Sequence, residues 1–153
     1  MRTYTKIFAP LALACISTTA MAQAVPFTDY TVSDTVSSVT TIKVDANMMD
    51  TYLGNLRETW VASNEVRLSL GQIESYGIYV SDLQNSGDFN LLLVVRFANT
   101  ADLAPNKAKY DAFMQAWGDA NMKKSEEISA TVYPNIREIT GEYHFREIKM
   151  APK

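Results

Sequence analysis

The chain contains one cysteine, Cys15, and one histidine, His144. A protein metal site takes roughly three or four Cys, His or carboxylate ligands, so neither a metal nor a cofactor is expected. No Gly-rich phosphate loop and no Gly-x-Ser-x-Gly elbow occurs, which removes the usual signatures of nucleotide binding and of serine hydrolases. There is no run of Lys and Arg, and the formal net charge is −3. A nucleic-acid or anionic-membrane partner would call for a basic patch, so neither is expected. Internal repeats and low-complexity tracts are absent as well.

The first 22 residues are read apart from the fold. Arg2 and Lys6 give a positive start, Ile7 to Ile16 a short apolar run, and Ala20-Met21-Ala22 a small-x-small cleavage pattern. The apolar run is too short for a bilayer, which takes roughly 20 residues. The expectation is a cleaved signal peptide, residues 1–22, and a periplasmic or secreted protein with no stable membrane association afterwards. A lipid-modified Cys15 is the second choice, because Ala12 stands where a lipoprotein signal usually has Leu. Cleavage would remove the only cysteine and leave 12 basic against 17 acidic side chains, a formal charge of −5.

Residues 23–35 are polar with scattered apolar positions and read as a linker or arm. Residues 36–150 read as one domain. Val36 to Val44 is rich in Val, Thr and Ile, a strand composition. Met49, Leu53, Leu56 and Trp60 then recur at helical spacing, with Tyr52 widening the stripe. Asp45 or Asn47 is the expected cap, a kink is expected near Ser63, and Gly71 is the expected stop. Ile73 to Ser81 is a second strand, and Asp82 to Asp88 has turn composition. Phe89 to Phe97 follows, apolar on both alternating faces. A second helical stretch carries Tyr110, Phe113, Met114 and Trp117, is interrupted at Gly118, resumes, and ends before Pro134. A short turn reaches Gly141, and Glu142 to Lys149 is the last strand.

Strand, helix, strand, strand, helix, strand is a split βαβ arrangement. The expected fold class is α+β, a ferredoxin-like βαββαβ chain whose four-stranded antiparallel sheet has two helices on one face. An inner strand apolar on both sides needs cover on the second face too. Burial stabilises by roughly 25 cal/mol per Å², so a homodimer through that face is expected.

Tyr52-Leu53, Leu56-Arg57-Glu58-Thr59-Trp60, Tyr76-Gly77-Ile78-Tyr79-Val80, the strand Asp88 to Phe97 and the closing Gly141-Glu142-Tyr143 to Arg146-Glu147-Ile148 resemble the dimeric α/β-barrel superfamily, most of all its NIPSNAP-type branch. The resemblance runs from about Val39 to Lys149 and implies the fold and the dimer. It implies no single activity, since such proteins include cofactor-free monooxygenases, haem enzymes, isomerases and proteins without known activity. The haem-using relatives' ligand motifs are not found here.

The candidate pocket residues are Trp60, Tyr76, Tyr79, Arg96, Tyr143 and His144. His144 reads as a general base or haem ligand, or more plainly as a half-exposed strand residue beside Arg146. Arg96 interrupts an apolar strand, where a charge needs a partner; it reads as an anchor for an anionic ligand or, more plainly, as half of a salt bridge. Trp60, Trp117 and the tyrosines read first as core, though buried hydroxyls need partners and leave room for a polar-edged cavity. The first functional reading is a non-catalytic exported protein, folding as a dimer, whose space between sheet and helices either binds a small apolar or aromatic molecule or simply remains as core. The alternative is a cofactor-independent monooxygenase-like or isomerase-like enzyme. A third is a partner protein using its acidic surface or the Asp82–Asp88 loop.

Overall fold

The computed structural model describes residues 23–83 and 86–152. The expected leader, including Cys15, and two residues of the Asp82–Asp88 loop lie outside the described residues. The β-branched stretch forms β1 (Tyr30–Val44), which begins six residues before Val36, so the latter part of the expected arm is strand. Next comes one long helical run, α1 (Met49–Leu56), a π-helical turn (Arg57–Val61) and α2 (Ala62–Ser69). Strands β2 (Ser75–Val80) and β3 (Leu91–Phe97) follow. A 3-10 turn (Thr100–Leu103) leads to α3 (Lys107–Trp117) and α4 (Asp119–Thr131). A second 3-10 turn (Tyr133–Asn135) precedes β4 (Arg137–Met150).

The strands form one antiparallel sheet in the order β2-β3-β1-β4. Two helical crossovers join its halves, and the fold is the ferredoxin-like βαββαβ arrangement. Pleat alternation sends Leu91, Leu93, Val95 and Phe97 of β3 into the core together with Val36, Ile42 and Val44 of β1. Register sets Val36 against Phe97 and Ile42 against Leu91. Tyr52 and Leu56 from α1 close over these with Tyr133 and Ile136, and Trp60 touches this cluster and the neighbouring one around Val36, Ile73, Val95 and Phe97.

The helix ends follow local chemistry. Neither Asp45 nor Asn47 caps α1: Met48 occupies the cap without a side-chain bond, and Asn47 takes a left-handed φ of 64°, a conformation asparagine tolerates. Gly71, at φ 64°, stops α2 as expected, its N–H donating to Leu68 O while Gln72 N–H donates to Arg67 O. The Asn106 side chain caps α3 by accepting from Lys109 N–H at 3.0 Å. Gly118, at φ 79°, separates α3 from α4.

Among the described residues, the opposite face of the sheet carries no helix. Three cross-strand rows make it up: Tyr79, Leu92, Thr41 and Gly141; then Gly77, Val94, Val39 and Tyr143; then Ser75, Arg96, Ser37 and Phe145. The Tyr79 and Tyr143 rings bend along their strands over Gly77 and Gly141, where a Cβ would meet ring atoms at 3.0 and 2.7 Å respectively.

Candidate functional site

A cleft of about 280 Å³ opens between the helical run and the sheet. Its floor is Thr40, Ile42 and Leu93; its walls come from Tyr52 and Leu56, the π-turn residues Thr59 and Trp60, then Tyr133, and finally Arg137 at the start of β4. A π-turn departs from the regular helical ladder, and here side chains bond carbonyls within it and just before it. Thr59 Oγ1 donates to Asn55 O at 2.8 Å, and Asn64 Nδ2 and Ser63 Oγ donate to Trp60 O at 2.8 and 3.0 Å.

Thr59 links the turn to the site. Its Oγ1 lies 2.5 Å from Tyr133 Oη; because the Thr59 proton already goes to Asn55 O, the Tyr133 hydroxyl is the donor. Tyr133 meets Tyr52 edge to face, with ring centroids 5.2 Å apart. The Arg137 guanidinium sits 5.0 Å from the Tyr133 ring centroid and 5.9 Å from that of Tyr52, a cation–π arrangement. Its Nε is buried without a hydrogen-bond partner among the described residues, and it forms no ion pair among them. Glu142, opposite Thr40 on β1, also lines the cleft.

Burial pushes the Tyr52 phenol up to about 12, against the opposing pull of Arg137. Burial likewise raises Tyr133, against its bond to Thr59 and the charge of Arg137. Both phenols are therefore neutral near pH 7, the Tyr133 proton being engaged with Thr59, while the guanidinium stays charged. The arrangement can hold an oxygen acceptor on an aromatic or apolar body. Among the described residues, no group of three His, Cys, Asp or Glu side chains could hold a metal ion.

Of the six residues proposed from the sequence, Tyr76, Tyr79 and Arg96 line one cavity of about 220 Å³ at the sheet, and the other three lie apart from it. Trp60 and Tyr76 meet on the helix side, edge to face at 5.5 Å, with the Tyr76 hydroxyl on the Glu65 carboxylate. Tyr79, Arg96 and Tyr143 lie on the bare face, each in a different row, and Arg96 is exposed. His144 pairs with Ser38 and is exposed on the helix-side face of β4. Of the six, only Trp60 lines the cleft. Thr59, Tyr133 and Arg137 were not singled out from the sequence. The available signal was an arginine and a tyrosine flanking Pro134, a proline that reads most directly as a helix stop.

No family model and no curated protein sequence matches the chain. Several solved structures resemble it. A Shewanella oneidensis protein aligns at 12% identity over 79% of this chain and 99% of its own, with a TM-score of 0.48. A NIPSNAP family protein of Agrobacterium tumefaciens aligns at 12% identity over 77% and 92%, with a TM-score of 0.47. A dimeric protein of ferredoxin-like fold from Bacteroides fragilis aligns at 11% identity over 79% and 100%, with a TM-score of 0.41. These are likenesses of backbone course. The strand order and crossovers assign the fold without them.

Proposed function

We propose that this chain is a non-catalytic binding protein, exported and dimeric, which takes a small aromatic or apolar molecule bearing an oxygen acceptor in the cleft between helices and sheet. The observation behind this reading is the Arg137 side chain, which lines the cleft against two tyrosine rings and has no carboxylate partner among the described residues. A charge without a partner is costly away from water, and a ligand oxygen in the cleft would give the guanidinium one. The phenols are held neutral, and His144 lies outside the cleft, which supports binding over proton-transfer chemistry.

The test is a thermal-shift screen of the chain lacking residues 1–22 against aromatic acids and their uncharged analogues, followed by titration of the hits through Trp60 fluorescence. The expected result is saturable binding that falls about tenfold or more in Arg137→Met, with unchanged far-ultraviolet circular dichroism. Turnover of a bound molecule would overturn the non-catalytic reading. Hits indifferent to Arg137→Met would overturn the site.

A further inference from the structure

A second cavity, of about 380 Å³, lies between α2 and α3, with Ser63 bordering both it and the cleft. Phe113 and Met114 of α3 and Met122 of α4 supply apolar lining; Arg67, Lys109 and Asp102 supply charge. The charges are unequal. Lys109 Nζ is 2.6 Å from Asp102 Oδ1, so the acid is already paired with lysine. Arg67 is half-buried, its guanidinium 5.6 Å from the Phe97 ring centroid, and it has no carboxylate partner among the described residues. Burial lowers its pKa from the ordinary guanidinium value, yet arginine remains charged at neutral pH. Gln72 Nε2 donates to Lys109 O at 2.8 Å, which ties the end of α2 to the start of α3 and fixes the two sides of the cavity.

We infer that this cavity is a second ligand site, for an amphiphilic monoanion: a carboxylate on a short alkyl or aryl body, its head on Arg67 and its body against Phe113, Met114 and Met122. An unpaired, partly desolvated cation is the costly element of the empty site, and a monoanion matches the net +1 of the lining. A guanidinium suits a carboxylate in particular, since its donors match the two oxygens. Methionines adapt to irregular apolar shapes, so body length is read loosely and the charged head strictly. The site is independent of the Arg137 cleft.

The chain has two tryptophans, one lining the cleft and one touching a residue that lines the second cavity. Trp60 lines the cleft, and Trp117 stacks on Phe113 with centroids 6.0 Å apart. In a Trp60→Phe protein, titration with octanoate is expected to give a saturable change in Trp117 emission below roughly 1 mM, and octanol to bind about tenfold more weakly. Adding Arg67→Met should weaken octanoate by about tenfold and erase its advantage over octanol; Arg67→Lys, keeping charge without the fork, should retain part of it. Circular dichroism and the thermal midpoint check that each variant is folded. Equal binding of octanoate and octanol, binding untouched by a folded Arg67→Met, no saturable response, or a response that appears only through Trp60 in a Trp117→Phe protein would each overturn the site. Arg137→Met should leave the Trp117 response intact, so failure of the cleft and failure of this site are separable.

Discussion

At the scale of single residues, Tyr52 couples the candidate site to stability. It is 1% exposed, and its phenol is pushed from 10.0 up to about 12. A raised acid pKa means that the folded state holds its proton more tightly than the unfolded chain. The associated stability is complete below pH 10 and is lost as pH climbs from there through about 12. The loss reaches on the order of 2–3 kcal/mol, with Tyr133 adding in the same direction. Urea midpoints measured between pH 8 and 11.5 should fall steeply above pH 10 in the native chain and more gently in Tyr52→Phe. Identical pH slopes would show that Tyr52 does not hold its proton in this way. Residue types alone did not reveal Arg137, because its importance comes from two rings that reach it from separate elements, α1 and the 3-10 turn.

At the scale of elements, the sequence was most readable where periodicity was clean. The inward alternation of β3 and the helical stripe through Tyr52, Leu56 and Trp60 both appear as expected. Where one side chain overrides a local rule, the boundaries move. Asn90 ends the apolar run early: its Oδ1 accepts from Val44 N–H at 2.7 Å and its Nδ2 donates to Val44 O at 2.8 Å, so its amide replaces a rung and β3 begins at Leu91. Gly141, read as a break, lies inside β4 because the Tyr143 ring fills the space that its missing Cβ leaves. Reading a break there placed Arg137 in a turn and hid the cleft.

The π-turn is likewise invisible to a 3.6-residue period, and the expected kink near Ser63 falls just beyond it. A π-turn holds one more residue than an α-turn, so deleting Glu58, whose pair with Lys124 is exposed and worth little, should let the run wind as regular α-helix. Thr59 would rotate away from Tyr133. The thermal midpoint should hold or rise while the Trp60 ligand response drops by about tenfold; an undiminished response would show that the π-turn does not shape the cleft.

At the scale of the whole molecule, the bare sheet face carries the prediction of assembly. Tyr79, Tyr143 and Phe145 are 59%, 49% and 55% exposed there, beside half-buried Val39, Leu92 and Val94. At roughly 25 cal/mol per Å², covering them by a second copy is worth several kcal/mol. Sedimentation at micromolar concentration should give twice the mass of the chain, and Phe145→Glu should shift it toward the single chain without loss of helix or strand signal. A native protein that sediments as one chain would refute this assembly. The pairing of Tyr30 with Met150 has a mechanical consequence. The outer ends of β1 and β4 lie side by side in an antiparallel ladder, so tension applied to them loads one rung at a time. Such a ribbon peels open like a zipper at low force, whereas a ladder pulled along its strands shares the load across every rung.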